Sequence, residues 1–166
     1  IEIPKSWKLL FLPQKSYLPI GTLRAAVAYP ASEKTYTDLA IQHYFDLCKL
    51  PHLKQQLDHV DNWSQRLSPG EQQRVAFVRA LLTRPDVLFM DEASSALDTE
   101  TEDMVYQLIV QELPEAAIVS VAHRESVAKY HKMRWQFVED AKAPLIDSDE
   151  WQRRQYTIQC TKQGKI

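Results

Sequence analysis

The 166-residue sequence predicts an α/β fold, a parallel sheet combined with a helical subdomain. Two observations carry that prediction. A short apolar run, Val87-Leu88-Phe89-Met90, closes on Asp91-Glu92 and follows a helix that opens at Leu67-Ser68-Pro69-Gly70-Glu71. A second apolar run, Ala117 to Val121, follows another helical pattern. Helix and strand thus alternate as in a strand, helix, strand unit, whose connection is parallel and right-handed.

Taken in order, Trp7-Lys8-Leu9-Leu10-Phe11-Leu12 reads as a buried strand that Pro13-Gln14 ends. Tyr17, Pro19 and Gly21 read as loop and packing residues, since Pro-x-Gly is turn chemistry. A helical insertion is expected from Thr22 to Asn62. Within it Thr37-Asp38 starts a helix, and Ile41, Tyr44, Phe45 and Cys48 recur at i, i+3, i+4 and i+7 before Pro51. A face with this spacing is core. With the next helix it makes a helical subdomain of about residues 22–83, which leaves 1–21 and 84–140 to the sheet core and 141–166 as a tail.

The next helix has the clearest start. Ser68 and Glu71 form a capping box, Pro69 falls at the first helical position where a missing N–H costs nothing, and Gly70 allows close backbone approach. Such a helix N-terminus suits an anion. The helix is expected from Pro69 to about Thr83, with Val75, Phe77, Val78, Leu81 and Leu82 inward and Arg74, Arg79 and Arg84 as its cations, and it stops before Pro85. Val87 to Met90 then fits a strand buried on both faces of a parallel sheet. Asp91 and Glu92 would stand at its C-terminal end, where α/β proteins bind ligands.

Ser94-Ser95-Ala96-Leu97-Asp98 is a polar turn. A helix is expected from about Thr99 to Leu113, with Thr99 and Glu102 as a second capping box and Met104, Val105, Leu108 and Ile109 on one face. Pro114 ends it. Ala117 to Val121 is read as a buried strand, and His123 falls just past its end, on the same sheet edge as the two carboxylates. Trp135 to Val138 is read as one more strand, and Asp147 to Arg154 as a mixed-charge helix or tail. The last dozen residues carry no functional signal.

Composition narrows the function. The net charge of -2 gives no electrostatic reason to expect nucleic acid. Cys48 and Cys160 lie far apart without CxxC or Cys/His spacing, so neither a disulfide framework nor a zinc site is suggested. His43, His52, His59 and His131 lack metal-ligand spacing and are read as surface or loop residues. No apolar run approaches the ~18 residues that cross a bilayer, and the chain reads as soluble. The three glycines are Gly21, Gly70 and Gly164, and Gly164-Lys165-Ile166 cannot complete a GxxxxGK[ST] phosphate loop because position 159 is Gln and Ile follows the lysine.

LSPGEQQR, then VLFMDEASSALD, then SVAHR, in that order, resembles the ATP-binding cassette family of ATPases from the signature motif through Walker B and the D-loop to the switch histidine. LFLPQKSYLPIGTLRAAVAYP resembles the Q-loop and the stretch just after it, in the branch of peroxisomal fatty-acyl transporters and bacterial peptide-uptake relatives. The resemblance runs roughly from Trp7 to Val138. It implies a partial P-loop NTPase fold, ATP and Mg²⁺ as cofactors, and ATP hydrolysis that drives a membrane transporter. Asp91 and Gln14 would then hold Mg²⁺, Gln14 also coupling the site to the membrane domain, with Glu92 as general base and His123 sensing the γ-phosphate. Ser68, Gly70 and Glu71 of the signature, with Asp98, would meet the ATP held by the opposite subunit of a head-to-tail dimer. Pro69 and Glu71 depart from the LSGGQ pattern, and a carboxylate near phosphates weakens affinity.

The implied partners are a membrane permease domain, upstream on the same polypeptide, and a second ATPase domain; the implied location is the cytoplasmic face of a membrane. Because the phosphate loop is absent, this chain is expected to be a fragment that binds ATP poorly and is inactive alone. Two other readings stay open: a non-transport cassette ATPase, and a natural non-catalytic fragment that pairs with a complete cassette.

Overall fold

A computed structural model describes residues 4–139 and 156–162. The chain forms two compact units, Ile1–Ser126 and Val127–Ile166.

The first unit holds a three-stranded parallel sheet in the order β1-β4-β5, with β1 at Leu9–Leu12, β4 at Val87–Asp91 and β5 at Ala117–Val121. Leu9 pairs with Val87, and Val87 in turn with Ala117, so the three strands run in step to a common C-terminal edge. The expected α/β class with an incomplete parallel sheet is what the chain adopts.

Burial of the outer strands differs from expectation. Leu10 and Leu12 are buried, but Leu9 and Phe11 are 48% and 58% exposed. In β5 the exposure alternates in the same way, with Val119 and Val121 exposed. Only the central β4 is buried over most of its length. Contiguous apolar runs predicted buried strands here, but period-two geometry sends alternate side chains of β1 and β5 to a face that the described residues leave open.

Between β1 and β4 lie β2 (Gly21–Thr22), α1 (Leu23–Ala28), α2 (Asp38–Leu47), the 3-10 turn η1 (Pro51–Gln56), β3 (Val60–Asp61), α3 (Trp63–Arg66) and α4 (Pro69–Thr83). Thr22 and Thr37 cap α1 and α2 by accepting from Ala25 and Ala40 N–H. The antiparallel pair of β2 and β3 was not predicted; two residues each are too short for a periodic signal. Trp63 locks this pair to α3, since its fully buried indole donates to Gly21 O at 2.9 Å. Ile41, Phe45 and Cys48 of the predicted face are completely buried, and Cys48 is a free thiol pushed up to about 12 by burial.

Helix α4 has the predicted bounds and both halves of the predicted capping box. It also carries an unpredicted interior: Gln73 and Arg79 are buried among its apolar residues. Helix α5 (Thr99–Glu112) starts where expected but is capped by Asp98, whose carboxylate accepts from Thr101 N–H, and not by Thr99. Asp is as good a cap as Thr, and Glu102 is drawn into a buried cluster instead of reaching back to the cap.

The second unit contains β6 (Met133–Glu139) and β7 (Tyr156–Lys162), an antiparallel pair running from Met133 opposite Lys162 to Glu139 opposite Tyr156. The expected Trp135 to Val138 strand is the middle of β6. The helix or tail expected at Asp147 to Arg154 lies outside the described residues.

Candidate active site

Sheet order explains how three distant residues meet. Gln14 follows β1, Glu92 follows β4 and His123 follows β5, so three neighbouring parallel strands each deliver one polar residue to the same edge. Glu92 Oε2 accepts from Gln14 Nε2 at 2.7 Å, and His123 Nε2 lies 2.6 Å from Glu92 Oε1. Both carboxylate oxygens are engaged. The backbone at Glu92 is left-handed, φ 46°, a conformation that non-glycine residues adopt at a cost and keep only where the surroundings impose it. Here its N–H is bonded to Val121 O at 2.9 Å, which extends the β4 and β5 pairing by one bond. The His123 ring is 85% exposed. Asp91, at the end of β4, is exposed beside them.

Around this cluster runs a set of contacts that the sequence does not signal by spacing. Gln73, 3% exposed, donates through Nε2 to Gln14 O and Ser95 Oγ, each at 3.1 Å, and accepts from Ala96 N–H at 2.9 Å. Arg124, next to His123, donates to Leu97 O at 2.9 Å and Ser95 O at 3.3 Å. Glu102, buried, accepts from Ser94 Oγ at 2.7 Å and Ser126 Oγ at 2.8 Å, with Arg124 Nη1 at 3.6 Å. Side chains and backbone therefore close a ring from Gln14 through Glu92, His123, Arg124 and the Ser94–Asp98 turn to Gln73 and back. The one signal in the sequence is a polar residue, Gln73, among the inward positions of α4. A hollow of about 80 Å³ opens between Glu92, Ser94, Glu102, His123 and Arg124, room for water and not for a nucleotide.

The remaining predicted site residues form a second group at the start of α4. Ser68 donates to Glu71 Oε2 from both its N–H, at 2.9 Å, and its hydroxyl, at 2.6 Å. His52 Nε2 lies 2.9 Å from the other carboxylate oxygen of Glu71, so a histidine read as a surface or loop residue touches the capped start of α4. Burial pushes the Glu71 carboxyl up, but the bonds from Ser68 and the nearby His52 outweigh it and hold the group below its ordinary value. Gly70 has a local packing reason to lack a side chain, because a Cβ there would stand 3.2 Å from Ala96 O. Asp98 is held down by hydrogen bonds from Thr101 N–H and hydroxyl, both at 2.9 Å.

The donor set suits a magnesium ion. Asp91 offers an exposed carboxylate, and Gln14 spends its amide nitrogen on Glu92, so that its oxygen is the atom a cation would use. Among the described residues no three His, Cys, Asp or Glu side chains converge into a metal cage. Magnesium keeps several waters and takes further oxygens from phosphate, so a full protein cage is not what it needs.

The three-stranded parallel sheet, the capped helix and the carboxylate pair at the end of β4 are those of a partial P-loop NTPase core, as the comparisons with known proteins show. A family profile described as "ABC transporter" matches residues 9–95. An uncharacterized ABC transporter ATP-binding protein of Haemophilus influenzae is 47% identical over 122 residues, 74% of this chain and 20% of that protein. The human lysosomal cobalamin transporter ABCD4 is 38% identical over 135 residues, 75% of this chain and 22% of that protein. Among solved structures, a bacterial Atm1-family ABC exporter with ATP bound superposes with a TM-score of 0.65 at 28% identity, covering 76% of this chain and 23% of that one. The chain belongs to the ABC transporter family, and it matches the ATP-binding proteins of that family. It spans about a fifth of the length of these relatives. Among the described residues no helix is long and apolar enough to cross a membrane.

Proposed function

We propose that this chain supplies the water-activating, switch and signature residues of an ATP-hydrolysing domain that drives a membrane transporter. The observation that carries the reading is Glu92 held between Gln14 and His123 at the shared ends of three parallel strands. Asp91 and Gln14 would hold Mg²⁺, which when bound neutralises charge on the phosphate oxygens. Glu92 is the general base. Each Glu92 oxygen carries one contact and keeps a lone pair, through which it accepts a proton from water. His123, 85% exposed, can turn to bond a terminal phosphate oxygen.

Ser68 and Gly70 would present their donors, with Asp98 alongside, to a nucleotide held by a second cassette. Glu71 must first give up the Ser68 donors it occupies. The partners are a permease on the same polypeptide and a second ATPase domain, at the cytoplasmic face of a membrane. With no GxxxxGK[ST] loop in its sequence, the 166-residue chain alone binds MgATP weakly and does not turn it over.

The test is phosphate release by the complete transporter polypeptide carrying this segment, with Glu92→Gln and His123→Ala beside it. Loss of a positioned base or its partner lowers turnover by about 10²- to 10⁴-fold. Wild-type turnover in Glu92→Gln would refute the assignment, and tight MgATP binding by the isolated chain would refute its dependence on a phosphate loop elsewhere.

A further inference from the structure

The D-loop turn is held from two directions by groups that touch no reacting atom. On one side Gln73 takes Ala96 N–H and Ser95 Oγ; on the other, Arg124 takes Ser95 O and Leu97 O. The guanidinium reaches two carbonyls of one turn as a fork, which a point charge cannot do. Glu102, 2% exposed, sets its position from behind and also ties Ser94 to Ser126, so both ends of the contact are pinned. Arg124 is joined by one peptide bond to His123, and His123 lies 2.6 Å from Glu92.

We propose that Arg124 is a positioning residue that fastens the switch-histidine backbone to the D-loop turn, so that the seat of His123 over Glu92 and the shape of the turn leading to Asp98 are set together. The consequence for catalysis rests on the function proposed above: His123 belongs to this chain's own site, Asp98 faces the second cassette, and Arg124 links the two. Coupling of this kind is reciprocal, since whatever loosens one end loosens the other.

Three turn amides report on the link. Ser95 N–H is bonded to Glu92 O at 3.0 Å, Ala96 N–H to Gln73 Oε1 at 2.9 Å and Leu97 N–H to Ser94 O at 3.0 Å. Hydrogen exchange of these amides is measured in the purified chain, without nucleotide, for wild type, Arg124→Ala, His123→Ala and the double variant, with helix α4 as the internal reference. Arg124→Ala is expected to raise turn exchange about tenfold through loss of charge-assisted bonds, with α4 unchanged. His123→Ala raises it too, and the double variant exceeds Arg124→Ala by less than the product of the two effects.

A turn as protected in Arg124→Ala as in wild type overturns the proposal. So does loosening in Arg124→Ala with His123→Ala silent, or effects that multiply, because Arg124 is then a stabilising residue without a link to the switch. Should Arg124→Ala fail to fold, Arg124→Lys, which reaches only one of the two carbonyls, carries the test; protection equal to wild type overturns it. The readout needs no ATP, so its failure leaves the phosphate-release test of the proposed function standing, and the converse holds.

Discussion

Arg79 is a buried cation, and replacing it weighs three physical effects against one another. It is 6% exposed, and among the described residues no carboxylate pairs with it. One nitrogen, Nη2, donates to Ala26 O at 2.6 Å and to Tyr17 O at 3.1 Å, the guanidinium lies 5.4 Å from the Tyr29 ring centre, and Nε makes no hydrogen bond. Burial lowers its pKa from the ordinary guanidinium range to about 10. That difference is a charge penalty of about 3 kcal/mol in the folded chain at neutral pH.

Arg79→Met removes the penalty. It leaves Ala26 O, near the end of α1, without its donor, at about 1–3 kcal/mol, and forfeits a ring contact worth about 1 kcal/mol. Tyr17 is exposed, so water replaces the other bond. The terms cancel to within about 1 kcal/mol, as is common when a buried charge is exchanged for an apolar side chain. Arg79→Ala adds a cavity and falls about 2–5 kcal/mol below Arg79→Met. Urea unfolding at constant m-value measures both. The pH sign comes from the lowered pKa: the folded chain gives up this proton first, so wild type gains on Arg79→Met as pH rises from about 10 towards the ordinary guanidinium range. A loss above about 3 kcal/mol in Arg79→Met at neutral pH would refute the reasoning, because the guanidinium would then be a net stabiliser.

Two further outcomes concern the start of α4. Glu71→Gln should cost about 1 kcal/mol at pH 7 and nothing in acid, because the lowered Glu71 pKa gives stability that is present above its ordinary value of 4.5 and lost as pH falls through the lowered one. Equal loss at pH 7 and pH 3 in urea melts would show that charge is not what holds Ser68. Gly70→Ala gains up to about 1 kcal/mol of helix propensity but sets its Cβ 3.2 Å from Ala96 O, whose peptide Gln73 pins. A lower thermal midpoint is expected, and a rise would show that the turn yields.

How much the sequence discloses depends on how each contact is specified. Helix α4 is legible to the residue because Ser68, Pro69, Glu71 and Pro85 are local signals. Glu92 and His123 are placed at the sheet edge by the apolar runs that end just before them, and singled out there by the order of the motifs around them. Gln73, Arg124 and Glu102 are not. Their partners are backbone groups of a turn whose position depends on how β4, α5 and β5 pack, and no spacing rule encodes that. Arg79 is hidden for the same reason: a cation on an amphipathic helix is ordinarily solvated, and only the fold places the Ala26 and Tyr17 carbonyls over it. The exposed halves of β1 and β5 are equally hard to foresee, because a continuous apolar run hides which parity is buried.

The contacts divide by burial in a way that suits a working site. Around Glu92 and Glu71 they are exposed and exchangeable: His123 on Glu92, Gln14 on Glu92 and His52 on Glu71 each involve a solvated partner, and such contacts are worth about 0–1 kcal/mol net. A phosphate or a water can replace any one of them at little cost. Behind them the contacts are buried and costly to break, since removing a partner of Glu102 or Gln73 strands a group that water does not reach. The scaffold therefore holds still while the atoms it presents change partners. The bonds that Glu92 and Ser68 make in the free chain are weak enough to give way to a ligand.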